Sequence, residues 1–269
     1  MRQRRRIAYS VAIIGIVTAA GLWVWPFRAD GGGAGGGAVL LAPANPDAIR
    51  AYLQGAPRQP REAVGAAQLW IGREQAAKYT VADSNASKSG TARGEMTLKG
   101  GDRRGQWQYE RLGQRIEFLT VAADGSVVLD RLENIERGVI VKLNPPVAVL
   151  PARLEPNRPV RHDVRMTVYD RGNPSQVKSS GKAVITVRYD ADQTLSTPAG
   201  RFDCHRIRLT WDADFGFGTT ASTTTCYYAE GVGLIAEDYD AQTTILLFTE
   251  ERHITAVLAE TPRLLGTSE

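Results

Sequence analysis

Residues 201–228, which read RFDCHRIRLTWDADFGFGTTASTTTCYY, contain two strand-like runs joined by a glycine-bearing link. Each run is rich in β-branched and aromatic residues, which fit a pleated sheet, and the link DADFGFG is rich in turn residues. Because so short a link joins antiparallel neighbours, the stretch predicts a β-hairpin. With the turn centred on Phe215, Cys204 stands opposite Cys226 at a separation that a disulfide spans. We therefore predict a cross-strand disulfide between these two cysteines.

The same pattern extends outward from this hairpin over most of the chain. Runs rich in Val, Ile, Thr, Tyr and Trp alternate with links of two to five residues, which are too short for the crossovers of a parallel sheet. The sequence therefore predicts a mainly β fold, an antiparallel meander that forms a half-barrel or open barrel. We assign residues 68–260 to this β-domain and 261–269 to a tail. Five prolines between Asn144 and Val160 predict an irregular crossing between two sections of the sheet.

The N-terminal residues indicate a membrane anchor. Four arginines among the first six residues precede an uncharged stretch from Ile7 to Trp25, which at 1.5 Å per residue spans roughly 28 Å, close to the thickness of the bilayer core. Basic residues stay on the cytoplasmic side. Residues 1–28 therefore predict a signal-anchor, a transmembrane helix in the inner (cytoplasmic) membrane with a cytoplasmic N-terminus and a periplasmic or otherwise extracytoplasmic main domain. Residues 29–67 predict a tether rich in Gly, Ala and Pro, with one possible short helix.

A cleaved signal peptide is the alternative for this segment. Its apolar core would run from Ile7 to Val17, with Thr18-Ala19-Ala20 as the cleavage site. We favour the anchor because the apolar run continues through Leu22 to Trp25, and paired tryptophans are typical of the lipid–water interface.

The charge balance argues against a nucleic-acid partner. Residues 1–30 hold five of the 33 basic residues and one of the 29 acidic ones, which leaves 28 of each in the remainder. The exported part is therefore neutral, and no excess of charge marks a phosphate-binding surface.

Two segments near the hairpin carry a family resemblance. Thr197-Pro198-Ala199-Gly200 leads into the first strand, and Tyr227-Tyr228-Ala229-Glu230-Gly231-Val232-Gly233-Leu234-Ile235 ends the second. This pair resembles signatures of uncharacterised bacterial envelope domains that look like the LolA/LolB lipoprotein carriers, over roughly residues 140–250. The resemblance implies a curved antiparallel sheet that forms an incomplete barrel in the cell envelope, and it implies no catalytic residue.

No catalytic constellation emerges from the sequence. The three histidines His162, His205 and His253 are scattered along the chain, and we interpret them as structural. We predict a protein that is not an enzyme and that has no cofactor and no metal site. Aromatic residues form the candidate apolar binding set: Trp107, Tyr109, Phe118, Trp211, Phe215, Phe217, Tyr227 and Tyr228. Phe215 and Phe217 are expected at an exposed hairpin tip.

Location and fold together predict a membrane-tethered binding module. Its partners would be the membrane, through the single anchor, and a lipid-like ligand or an envelope protein. The alternative is a structural subunit of a cell-envelope complex, without a ligand cavity.

Overall fold

The structure is a computed structural model that describes residues 48–84, 92–101, 103, 105–111, 115–135, 138–216, 218–245 and 248–265. The predicted anchor, its cleaved alternative and Phe217 lie outside these residues. Among the described residues, no helix is both long enough and apolar enough to cross a membrane.

The fold is almost entirely β. A 3₁₀ helix covers Ala48–Tyr52 and a one-turn α-helix, α1, covers Ala66–Leu69. The strands are β1 (Leu53–Arg58), β2 (Gln75–Asp83), β3 (Ala92–Gly100), β4 (Gln106–Arg111), β5 (Arg115–Val121), β6 (Val127–Asn134), β7 (Val139–Leu150), β8 (Val160–Asp170), β9 (Val177–Thr197), β10 (Gly200–Asp214), β11 (Gly218–Ala229), β12 (Gly233–Ile245), β13 (Phe248–Leu258) and β14 (Arg263–Leu264).

Twelve strands, β2 to β13, form a closed antiparallel barrel. Each strand pairs with the next one along the chain, which confirms the predicted meander. The last strand then pairs with the first, from Ile254 opposite Asp83 to Leu258 opposite Tyr79. The prediction of a half-barrel or open barrel was therefore wrong. Local patterning shows each hairpin, whereas closure depends on one pairing between strands more than 160 residues apart in the chain.

The segment before β2 belongs to the fold. Strand β1 pairs with the second half of β9, at Leu53 opposite Leu195, beyond the point where β8 stops pairing with β9. Ile49 and Val64 are buried in the core. Residues 48–67, which precede the predicted domain boundary at residue 68, therefore pack with the barrel.

The prolines after Asn144 are placed where the sheet does not need their missing N–H donors. Pro145 and Pro146 lie within β7, where its register with β6 shifts between the pairs Arg131–Lys142 and Leu129–Val147. Such a bulge leaves backbone groups unpaired, so it tolerates proline. The predicted irregular crossing is confined to the loop that follows Leu150.

The register of the 201–228 hairpin differs from the prediction. Ile207 stands opposite Cys226, and His205 stands opposite Tyr228, so the turn centre lies one and a half residues beyond Phe215. The reason is that β10 continues to Asp214, through residues that look like a turn in sequence. Cys204 and Cys226 are consequently three positions out of register, and both are free and buried. The predicted disulfide was wrong.

Candidate functional site

The barrel interior holds a cluster of charged residues on the inner faces of β4, β5 and β12. Arg111, Arg115, Glu117 and Glu237 have side chains that are 7–14% exposed. Strand alternation places them there, because Arg111 shares a face with Tyr109, Glu117 with Leu119 and Glu237 with Tyr239.

Ion pairs neutralise this interior cluster. Arg111 Nε lies 3.2 Å from Glu117 Oε1, Arg111 Nη1 contacts Glu237, and Arg115 contacts Glu117. Burial by itself would lower the pKa of Arg111, but the two glutamates outweigh it and raise that pKa well above its usual value. The guanidinium also lies 4.8 Å from the centre of the Tyr109 ring. Two cations therefore balance two anions inside the barrel.

A cavity of about 110 Å³ adjoins the cluster. Its lining also includes apolar residues of the barrel, among them Leu129, Ile185 and Leu209. Trp70 and Trp211 also line the cavity, and within the described part of the chain neither indole Nε1 has a hydrogen-bond partner. The two tryptophans that help to line the cavity therefore each carry a buried indole N–H that lacks an acceptor in this part of the chain.

The structure brings three of the predicted binding aromatics together. Tyr109, Trp211 and Tyr228 line the cavity. Burial raises the pKa of the Tyr109 and Tyr228 phenols, so both stay protonated and can donate a hydrogen bond. Trp107 packs edge-on against Trp70, with ring centroids 6.3 Å apart, just outside the cavity.

The remaining predicted aromatics lie elsewhere. Phe118 faces away from the cavity and lies under the Arg131 guanidinium, 3.6 Å from ring centre to guanidinium carbon. Tyr227 is buried opposite Arg206, and burial raises its pKa to about 12. Phe215 is 7% exposed and packs against Gly181, so the expectation of an exposed tip at this position was wrong.

The two thiols occupy different environments. Cys226 lines the cavity beside the charged cluster. Cys204 lines an open groove at the β9–β10 end of the barrel. Burial raises the pKa of Cys204 to about 12 and also raises that of Cys226, so both thiols are protonated and weakly reactive at neutral pH.

The sequence-based reasoning did not single out Trp70 or the charged cluster. Alternation along β4 offers a signal, because positions 107, 109 and 111 share a face and two of them are aromatic. An arginine on such a face is a candidate for burial. Trp70 follows a four-residue helix in an irregular segment, and no periodicity marks it.

Two of the three histidines contact carboxylates outside the cavity. His253 Nδ1 lies 2.6 Å from Asp240 Oδ1, and its Nε2 lies 3.2 Å from Asp238 Oδ1. Burial would lower the pKa of His253, but hydrogen bonds to both aspartates raise it to about 9. The potential ligand atoms of these three residues lie within 4.8 Å of one another, a spacing that a metal ion could also use. Because both ring nitrogens of His253 face carboxylates, the arrangement is that of a protonated histidine paired with two aspartates.

His205 is the second of these histidines and lies in the open groove. Its Nδ1 lies 2.9 Å from Asp192 Oδ1 and 2.8 Å from the Tyr189 hydroxyl. Its Nε2 lies 3.6 Å from Glu230 Oε1. No local sequence pattern indicates that these residues meet, since β9, β10 and the turn after β11 supply them.

A protein-family model matches part of the chain. Residues 142–247 match the DUF3108-like family model. The match runs from β7 to the end of β12 and coincides with the region of the predicted envelope-domain resemblance. No curated protein matches the chain significantly. The more specific likeness to the LolA/LolB carriers gains no support.

The solved structures that match this chain include proteins from three bacteria. The hypothetical lipoprotein YmcC of Escherichia coli is 9% identical, with a TM-score of 0.40, covering 68% of this chain and 87% of that one. A "putative lipoprotein" of Parabacteroides distasonis is 12% identical, with a TM-score of 0.36, covering 72% and 98%. A "putative exported protein with YmcC-like fold" of Bacteroides fragilis is 12% identical, with a TM-score of 0.27, covering 78% and 98%. These scores are too low to transfer any property to this chain.

Proposed function

We propose that this protein is a membrane-tethered, extracytoplasmic binding module whose barrel interior takes up the acyl chain of a lipid-like ligand. One observation carries the proposal. Trp211 lines an apolar cavity, and among the described residues its indole nitrogen has no acceptor. A buried donor without an acceptor costs about 1–3 kcal/mol, which a ligand carrying a suitable acceptor would recover.

The charged cluster indicates which acceptor fits. Arg111 and Arg115 are already neutralised by Glu117 and Glu237, so a ligand carboxylate would add a buried charge without a free cation. A neutral carbonyl oxygen accepts a hydrogen bond and adds no buried charge. An ester or amide carbonyl next to an acyl chain therefore matches both the Trp211 donor and the apolar part of the lining.

The proposed location rests on the N-terminal sequence. The apolar stretch from Ile7 to Trp25 would hold the chain in the inner membrane, and the barrel would then stand close to the lipid surface. Acylated molecules are concentrated at that surface, so the location agrees with the ligand class. We propose binding rather than catalysis because the sequence analysis identified no catalytic constellation.

Extraction of the full-length protein in mild detergent tests the proposal. Lipids that leave with the protein would be identified by mass spectrometry, and we expect ester- or amide-linked acyl lipids at up to one per chain. Trp211→Phe removes one donor and keeps most of the apolar surface. It should weaken retention about fivefold, the equivalent of one neutral hydrogen bond of about 1 kcal/mol.

Trp107→Phe provides the matched control, because Trp107 packs beside the cavity without lining it. Its lipid content should equal that of the unaltered protein. Extraction of lipid-free protein together with a stoichiometric protein partner would refute ligand binding and favour the structural subunit instead. Equal losses from both tryptophan variants would refute the role of the Trp211 donor.

A further inference from the structure

The segment between β1 and β2, residues 59–74, lies across one end of the barrel. Its middle contacts the loop that follows β7, and Gln68 donates a hydrogen bond to Glu230 in the turn that follows β11. Leu69, Trp70 and Ile71, just after these contacts, project into the cavity lining. We call residues 59–74 the lid segment.

Few hydrogen bonds hold the middle of the lid segment. Val64 and Leu154 form an isolated bridge, with N···O distances of 3.1 and 2.6 Å, and Ala66 N donates to Pro151 O at 3.0 Å. The strands around the cavity are instead joined to both neighbours by ladders of many backbone hydrogen bonds. Regions with few backbone hydrogen bonds open at lower free-energy cost than core strands. The lid segment is therefore the part of the cavity wall that backbone hydrogen bonds hold least.

The volume of the cavity shows why such movement matters. A protein cavity of about 150 Å³ accommodates benzene, which corresponds to about 25 Å³ per carbon atom. On this scale, the 110 Å³ cavity of the barrel holds only about four carbon atoms of an acyl chain. The side chains of Leu69, Trp70 and Ile71 contain 18 heavy atoms. Their withdrawal would free roughly 450 Å³ on the same scale. The sum, roughly 560 Å³, falls within the range of ligand pockets, about 300–1,000 Å³.

We propose that the lid segment opens to admit the ligand, and that Leu69, Trp70 and Ile71 occupy the acyl-chain site when the barrel is empty. This inference rests on the proposed function, because it adds a gating step to the same cavity. The apolar lid side chains then serve as a substitute for the ligand. They keep the site dry until an acyl chain replaces them.

Gly65 shows how closely the lid fits in the closed position. A Cβ atom at Gly65 would collide with the backbone carbonyl oxygen of Ala152, which cannot move aside as a flexible side chain would. Gly65→Ala should therefore displace the lid from the loop after β7. Gly72, in the same segment, has its nearest neighbour at 3.7 Å, in ordinary van der Waals contact, so Gly72→Ala is a matched control.

A reversible disulfide tests the lid directly. Val64 and Leu154 exchange two backbone hydrogen bonds, a geometry with Cα atoms about 5.5 Å apart that a disulfide can bridge. We would combine Val64→Cys and Leu154→Cys with Cys204→Ala and Cys226→Ala in the full-length protein. The control replaces the paired Thr244 and Thr249 by cysteine in the same background.

The readout is photo-crosslinking of a diazirine-bearing palmitate ester, with the labelled cavity residues located by mass spectrometry. Oxidation of the Val64–Leu154 pair should lower cavity labelling at least tenfold, and reduction should restore it. Labelling of the Thr244–Thr249 control should be insensitive to oxidation. Gly65→Ala should raise labelling severalfold, whereas Gly72→Ala should leave it unchanged.

The outcomes separate this inference from the proposed function. Equal cavity labelling in the oxidised and reduced forms refutes the lid and leaves ligand binding standing. Absence of cavity labelling in the reduced form and in the unaltered protein refutes ligand binding itself, and with it the lid. Because the oxidised and reduced samples share one sequence, a general loss of stability in the variant cannot imitate the expected difference.

Discussion

Replacement of Arg111 by methionine tests whether the interior charges form one balanced unit. Arg111 is 11% exposed and contacts both Glu117 and Glu237, each 7% exposed. Methionine has a similar length and no charge, so it fills much of the space while leaving a net negative charge inside the barrel. The variant therefore removes the electrostatic partner more than it removes packing.

The expected loss of stability follows from the burial of both glutamates. Removing one partner of a buried ion pair destabilises a protein by about 3–5 kcal/mol, because it leaves an uncompensated charge. Arg115 still contacts Glu117, so Glu237 is the residue left without a cation. Arg111→Met combined with Glu237→Gln should recover at least half of the loss, since it restores the charge balance.

Urea unfolding of the full-length protein, followed by tryptophan fluorescence, measures these free energies. Arg161→Met is the control, because Arg161 pairs with Asp163 on the surface, where both side chains are more than 60% exposed. Its cost should stay below about 0.5 kcal/mol. A loss below about 1 kcal/mol for Arg111→Met, or no recovery in the double variant, would contradict the view of the cluster as one buried unit.

Three further measurements test other parts of the structure. Two aspartates raise the pKa of His253 to about 9, so the protonated histidine should stabilise the fold by about 1–2 kcal/mol after screening. This contribution should be complete below pH 6.5 and should disappear as the pH rises through 9. A His253→Gln variant that is equally destabilised at pH 6 and pH 10 would contradict this expectation. Cys204 and Cys226 should react with a thiol reagent only after unfolding, and reductant should leave the unfolding midpoint unchanged; a shift on reduction would indicate a disulfide. Gly181→Ala should cost about 2 kcal/mol, because its Cβ would lie 2.7 Å from Phe215 Cδ1; an unchanged midpoint would show that the hairpin tip yields easily.

The hairpins of this barrel could be predicted because their signals are local. Alternating β-branched and aromatic residues, separated by short glycine-rich or aspartate-rich turns, identify most strands and their antiparallel pairing. The limit of this reasoning appears at the hairpin of β10 and β11. Asp212 to Asp214 looks like a turn but continues β10 with partners on both sides, so the register shifted by three positions and the disulfide prediction failed.

The candidate site shows the same limit in a different form. Tyr109, Trp211 and Tyr228 were predicted as apolar candidates, and strand alternation does place them inside the barrel. Trp70 could not be found in this way, because an irregular segment carries it to the cavity. The pairing of Arg111 with Glu237 could not be predicted either, since 126 residues separate them. The local sequence of each strand does not show that the two strands lie on facing sides of the same interior.

The amino-acid sequence alone determined that the chain folds as an antiparallel β-meander, because side-chain period and turn chemistry act over a few residues. Tertiary structure decided that the meander closes, since closure depends on the pairing of β13 with β2, and it decided that both cysteines remain free. It also decided that two arginines and two glutamates meet inside the barrel beside Trp211. These outcomes depend on register and on contacts between distant strands, which local sequence patterns do not encode.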